Sequence, residues 1–434
     1  MIRSGLVPAN KGLSVLDANG VTWHAMTGYP KRRNVAYNGL PNKQGTTSVL
    51  STNQVVNPSF EGAVSPWSAI NCTIALTTAF SQMLKSGTSI LQATSDGTAV
   101  IPSVWMSSAT YRPLVSPGQW VGFTSFLATE IGYQVAVQIQ FRDAAGANLG
   151  YFASSWVTGS FYTGANPQVV AQAPANTVSV AYSLLFRNPA DVVNPMASGK
   201  RLWADAAKLF IGGEQAEVQM RLDSAYYDGS TAADDFTYAW TGTAHLSTST
   251  KTATAPAGWL YFNGTGETGV SYYRAIAGSD ARTGVARREI WTPKSSGSTG
   301  WQYTEYISGV SGDTYTAQML LNCPTSLSSK LRISFYNAST LVNSIDSSTQ
   351  ALVAGVPTNT VVTGAATGAF TNIRIWYYHT TGNTPGNGFY DASRCIIEPG
   401  TVQDSWFDGA SPADINYIYS WEGAAFGSAS VAMP

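Results

Sequence analysis

Aromatic side chains are the residues of this sequence best suited to chemistry, and that chemistry is stacking. The chain holds 13 tryptophans and 22 tyrosines. The flat π face of either ring matches the axial C–H face of a pyranose. Those near expected turns, or on strands with room to be exposed, are Trp105, Trp120, Tyr151, Trp156 and Tyr162, then Trp301, Tyr303 and Trp376. Tryptophan is highly buried on average, so only a minority are expected at the surface.

Residues for bond-breaking chemistry are sparse. His24, His245 and His379 are the only histidines, one per region, which argues against a histidine metal cluster. No GxSxG elbow, P-loop or HExxH motif occurs. Carboxylate pairs such as Asp234-Asp235 exist, but no motif brings two acids to the spacing of about 5–9 Å that glycoside hydrolysis needs. Solvated or turn-forming acids are the expectation, and no catalytic residue is assigned. Cys72, Cys323 and Cys395 contain no CxxC spacing, so free buried thiols are expected, with Cys323–Cys395 the one pair left open.

These residues sit in a chain of 434, long enough for two or three domains. Hydrophobic residues make up 44%, enough for real cores. Charged residues make up 11%, against about 25% in ordinary soluble domains, so surface polarity comes from Ser, Thr, Asn, Gln and Gly. Such surfaces suit assembly or contact with sugars. A net charge of −1 leaves no overall footprint for nucleic acid. The run Lys31-Arg32-Arg33 reads as an assembly contact or solvated turn. No stretch approaches the roughly 18 apolar residues of a membrane span, so membrane insertion is not expected. Residues 1–20 hold no apolar core of signal-peptide length, so the chain is expected to stay in the cytoplasm or to leave it without a cleaved leader, virion assembly followed by lysis being one such route.

The elements that must position the aromatics come in two copies. Tyr226-Tyr227-Asp228-Gly229 leads to Tyr238, Trp240 and Gly242, and Trp406-Phe407-Asp408-Gly409 leads to Tyr419, Trp421 and Gly423. Aspartate and tryptophan are 12 apart in the first and 13 in the second. Upstream, Trp203-Ala-Asp205-Ala matches Phe389-Tyr-Asp391-Ala, Ile139-Gln-Phe141 matches Ile333-Ser-Phe335, and Val115…Trp120 matches Val310…Tyr315. Near each start, Asn57 precedes Glu61 by four residues and Asn263 precedes Glu267 by four. The acids Glu61 with Asp205, and Glu267 with Asp391, thus fall at matching ends of the copies.

The segments read as strands. Gln134–Phe141 and Lys330–Tyr336 alternate at period two, separated from their neighbours by turn clusters, and no window shows a helical period. The fold class expected is all-β: two tandem jelly-roll-like antiparallel sandwiches, each followed by a hairpin segment. The boundaries are an N-terminal attachment segment at 1–52, a first sandwich at 53–213, a hairpin segment and connector at 214–257, a second sandwich at 258–400 and a second hairpin segment at 401–434. The Thr/Ala/Ser-rich stretch 241–258 is a connector or a further strand of the preceding hairpin. Each Asp-Gly is expected to cap a tight turn requiring positive φ.

The opening Asn53-Gln-Val-Val-Asn57-Pro58-Ser59-Phe60-Glu61, with Trp67 beyond it and Leu202-Trp203-Ala204-Asp205 closing, resembles the jelly-roll carbohydrate-binding modules attached to glycoside hydrolases. The Tyr-Asp-Gly run with its downstream Tyr-x-Trp-x-Gly is similar to a segment recurring in minor tail proteins of phages that infect actinobacteria. The likeness covers about residues 53–434; the second copy lacks the Pro and Phe of the opening. It implies glycan binding, and a structural calcium held by Glu61 with Asp205 and by Glu267 with Asp391; separate turn hydrogen bonding by each acid is the alternative. No other cofactor is expected. The function expected is that of a non-enzymatic tail-tip protein of a virion, structural and adsorptive, with other tail proteins, further copies of itself and a host cell-surface glycan as partners. A secreted bacterial carbohydrate-binding protein and a glycan-cleaving enzyme are the alternatives. The first 52 residues hold six basic side chains (Arg3, Lys11, Lys31, Arg32, Arg33, Lys43) against Asp17, and are expected to be ordered by partner subunits.

Overall fold

A computed structural model describes residues 15–17, 20–22, 32–36, 44–106, 108–233, 236–262, 268–273, 284–293, 298–379, 386–401, 406–407, 411, 413, 418–423, 425 and 428–433. They divide into two compact units, one within Ser48–Ala253 and one within Met1–Thr47 and Thr254–Pro434.

The first unit is a sandwich of two antiparallel sheets. One runs Asn148–Ala153, Gln134–Arg142, Ser179–Arg187, Ser103–Met106, Ser68–Ile70, with Val157–Thr158 also pairing to Gln134–Arg142. The other runs Gln168–Gln172, Trp120–Thr129, Arg201–Gly212, Ile90–Ser95, Cys72–Thr77. Alternation explains the layers. Val135, Val137, Ile139 and Phe141 point inward and meet Val121, Phe123 and Leu209 in one core, while Gln134, Gln138 and Arg142 point out.

The same order recurs in the second unit. One sheet runs Thr340–Asp346, Leu327–Asn337, Asn372–His379, Thr299–Glu305, Trp259–Phe262, with Gln350–Leu352 on the side. The other runs Thr358–Ala365, Thr314–Asn322, Gly388–Pro399, Ala286–Thr292, Thr268–Tyr273. Each sandwich carries a three-stranded appendage: Thr237–Trp240, Ser249–Pro256, Gln44–Asn53 in one case, Ile418–Trp421, Ser430–Met433, Arg32–Asn34 in the other. Ser249–Pro256 thus makes much of the Thr/Ala/Ser-rich stretch a strand.

That last strand corrects the expected boundaries. Residues 32–36 are not part of a separate attachment segment. Arg32–Asn34 pair with Ser430–Ala432, and Val35 and Ala36 belong to the second unit's core. Asn34 and Asn53 do the same work in the two copies. Asn53 Oδ1 accepts from the Val55 and Leu209 amides while its Nδ2 donates to Ala207 O. Asn34 Oδ1 accepts from the Ala36 and Ile397 amides while its Nδ2 donates to Phe407 O. The opening strand of the second copy therefore comes from residues 32–36, and in sequence Asn34-Val-Ala-Tyr-Asn38 parallels Asn53-Gln-Val-Val-Asn57. Asn263 and Glu267, the expected counterparts of Asn57 and Glu61, lie outside the described residues.

An α-helix at Gln215–Asp223 is a second departure. Only Val218 and Leu222 of its nine residues are buried, too few to show a period in sequence, and a Glu217–Arg221 ion pair spans one turn. Both apolar residues pack on the sheet with Phe210, Trp120 and Val170. Gly122 makes room for them: a Cβ there would lie 2.5 Å from Val218.

Candidate functional site

The outward rows of the two equivalent sheets form the candidate site. In the first unit the register sets Ala153, Gln138, Ser183, Trp105 and Ser68 side by side across five strands. The matching row of the second unit is Asp346, Arg332, Trp376, Gln302, Leu260. The tryptophan has moved one strand over, about 4.8 Å, and an Ala/Gln pair has become an Asp/Arg pair.

Around Trp376 lies a cleft of ≈ 370 Å³ lined by Phe262, Arg332, Tyr336, Tyr378 and the serines Ser334 and Ser344, among others. Trp376 stands edge-on to Phe262, centroids 4.9 Å apart, which fixes its plane. Arg332 grips Asp346 with two bonds, Nε to Oδ1 at 2.5 Å and Nη2 to Oδ2 at 3.0 Å, and the Tyr378 hydroxyl donates to Asp346 Oδ2 at 3.1 Å. The Arg332 hydrogen bonds, outweighing burial, hold the Asp346 carboxyl below its ordinary range. A single ionised acid tied to an arginine is a poor proton donor. The arrangement offers an aromatic floor, a fixed polar wall and hydroxyls, which suits binding and orientation.

The other aromatic candidates scatter. Trp105 is half-buried on its row, and Tyr151, 61% exposed, stands beside Gln140 on the same face. Trp156 lies under the Arg187 guanidinium at 4.2 Å, so one face is taken. Tyr162 is exposed but stands edge-on to Phe161, which packs with Trp203 on the other sheet. Trp120 lies against the helix. Trp301 and Tyr303 are a correction: both are buried, Trp301 Nε1 donating to Tyr390 O and Tyr303 OH to Glu305 Oε2, so neither can stack on a ligand. Sequence reasoning missed Arg332, Tyr336, Asp346 and Tyr378. Their parity with Trp376 along Lys330–Tyr336 and Ile373–Tyr378 was the available signal.

The described metal candidates are each held by hydrogen-bond donors. Asp205 Oδ2 accepts from the Lys85 and Ser86 amides and Oδ1 from the Ala206 amide. Glu61 Oε1 accepts from the Thr88 and Ser89 amides and Oε2 from the Thr88 hydroxyl. Donors surround both carboxylates where a cation would require oxygen ligands. No group of three or more metal-ligating side chains occurs among the described residues. Asp391 is paired to Arg287 through two bonds of 2.6 and 2.7 Å, and Glu267 lies outside the described residues. Nor is Asp391 the equivalent of Asp205. Both closing strands carry a bulge with one left-handed residue, Ala206 at φ 51° and Arg394 at φ 52°, and this register makes Ser393 the counterpart of Asp205. The sequence match was two residues out.

Asp228 sits in a turn, its Oδ1 accepting from the Ser230 amide. Gly229 is outside the left-handed region, however; its need for glycine is that a Cβ would lie 2.4 Å from Trp240. Asp408 lies outside the described residues. Cys72, Cys323 and Cys395 are free and buried.

Asp205 makes stability pH-dependent. Burial pushes its carboxyl up to about 7, against the lowering effect of the three amides, and Glu61 adds to the rise. The folded chain then keeps a proton that the unfolded chain releases near 3.8. The contribution is full below that value and lost as pH rises through about 7. Thermal denaturation of the first unit should show stability falling by on the order of a few kcal/mol between about pH 4 and pH 8, unchanged by calcium or a chelator. A profile that is flat, or that calcium alters, would contradict this account.

Strand order, inner cores and outward aromatic rows define a protein of two tandem β-sandwiches with a ligand-sized cleft on one outer sheet. No family model and no curated protein matches the sequence. Among solved structures, the CBM22-1-CBM22-2 tandem domain of Paenibacillus barcinonensis Xyn10C is similar at 13% identity and TM-score 0.27, covering 82% of this chain and 99% of that one. TmCBM61 in complex with beta-1,4-galactotriose aligns at 16% identity and TM-score 0.26, covering 36% and 97%. The enzymatically active domain of bacteriophage CBA120 tailspike protein 4 aligns at 11% identity and TM-score 0.29, covering 37% and 21%. Similarities at this level assign no ligand to this chain.

Proposed function

We propose that this chain is a non-enzymatic glycan-binding protein that serves as a structural and host-adsorption subunit at the tip of a phage tail. The Trp376 cleft carries the binding reading: an aromatic plane held edge-on by Phe262, beside the Arg332–Asp346–Tyr378 wall. A pyranose stacked on the indole places its equatorial hydroxyls toward that wall and the cleft serines. The tail assignment is supported by the repeated aromatic-Asp-Gly segments, Tyr227-Asp228-Gly229 and Phe407-Asp408-Gly409, and the charge-poor composition.

Trp376→Ala is expected to weaken binding to host cell-surface polysaccharide by about 2 kcal/mol, roughly 30-fold. Affinity electrophoresis with Tyr162→Ala as control measures this, and equal retention of both variants would refute the cleft. Antibody labelling of purified virions in the electron microscope should mark the tail tip. Label confined to bacterial surfaces would favour a secreted bacterial protein instead.

A further inference from the structure

The two outward sheet faces carry mainly positive charge. On the strands that form them the basic residues facing outward are Arg142, Arg187, Lys330, Arg332 and Arg374, and the one acid is Asp346. The whole chain has 24 basic and 25 acidic residues, so this asymmetry is local. Asp346 is committed: it takes both Arg332 bonds and the Tyr378 hydroxyl.

Arg374 is the telling residue. It lies two positions from Trp376 on the same strand and face, about 7 Å along it. It is directly across from Ser334 and stacks at 4.0 Å over Tyr336, both of which line the cleft. Its Nε meets Asn372 Oδ1 at 3.4 Å, and no carboxylate pairs with it among the described residues. A half-buried guanidinium held over an aromatic ring, with donors to spare, is arranged for a planar or tetrahedral oxyanion. In the first unit Arg187 bonds Gln134 and lies on Trp156, and Arg142 bonds Gln140 and Gly146 O; neither has a carboxylate partner among the described residues.

We infer that the glycan is anionic: its pyranose stacks on Trp376 and a carboxylate or phosphate substituent pairs with Arg374. This rests on the glycan-binding reading above. Calorimetry on the full chain tests it with three probes: polygalacturonate, its carboxyl-reduced neutral counterpart, and a poly(glycerol phosphate) teichoic acid bearing glucosyl substituents. One or both charged polymers should bind, more weakly as salt is added, and which of them binds identifies the anionic group. Arg374→Gln should reduce that affinity about tenfold or more and leave any residual binding of the reduced polymer unchanged. If wild type binds the neutral polymer as tightly as the charged ones, or Arg374→Gln has no effect on them, the anionic inference is wrong and glycan binding stands. If none of the three polymers and no cell-surface polysaccharide binds, glycan binding falls and the inference with it. Displacement of the polymer by an oligothymidylate at equal charge concentration would show a surface that reads charge alone, and would also overturn it.

Discussion

Arg32→Met is expected to destabilise the second unit by about 3–5 kcal/mol while leaving the first unit's transition in place. Arg32 reaches Glu398 with two bonds, Nε to Oε1 at 3.0 Å and Nη2 to Oε2 at 2.7 Å, and its guanidinium lies 4.7 Å over the Phe407 ring. The side chains are only 7% and 9% exposed. Methionine keeps much of the volume but removes the two Arg32 hydrogen bonds from the Glu398 carboxylate in a site that excludes water, and that loss is the main cost. The exposed Arg33–Glu422 pair, 44% and 33% exposed, is the internal control; Arg33→Met should cost under about 1 kcal/mol. Calorimetric unfolding of the full chain reads both. Deleting residues 1–36 should reproduce the Arg32→Met effect or exceed it, because the strand Arg32–Asn34 and the core residues Val35 and Ala36 go together. A deletion that leaves the second transition untouched would show that this strand is dispensable.

Asn53→Ala and Asn34→Ala should each cost about 3 kcal/mol, in different units. Both asparagines are buried, 0% and 1% exposed. Each one satisfies two backbone amides and one carbonyl. Alanine leaves those three groups buried and unpaired, and each such group costs about 1–3 kcal/mol before relaxation. Asn53→Ala should lower the transition of the first unit and Asn34→Ala that of the second. Equal shifts in separate transitions would establish the two residues as equivalents; a loss confined to Asn53→Ala would break the equivalence.

The fold class was written in the sequence because strand alternation is local. Val135-Ala-Val-Gln-Ile-Gln-Phe141 declares its period within seven residues, and duplicated anchors such as Ile139 and Ile333 mark the same strand in both copies. Parity carried part of the site as well. Trp376 shares its face with Arg374 and Tyr378, against Ile373, Ile375 and Tyr377 in the core, whereas Trp301 and Tyr303 share theirs with the buried Glu305. The buried pair was legible by the same rule that gave the exposed one.

Only the tertiary structure decided the rest, wherever partners are remote in sequence or register is shifted. Arg32–Asn34 is three residues long, and it pairs with a strand 398 positions away that no local pattern announces. The helix at Gln215–Asp223 buries two side chains, so its formation depends on the groove that Gly122 opens rather than on its own periodicity. Asp205 and Asp391 look equivalent in sequence, but the bulge residues Ala206 and Arg394 place them two positions apart. One carboxylate is cradled by backbone amides and the other gripped by Arg287. Sequence similarity reports residue types in order; hydrogen-bond register determines which of them face the same partner.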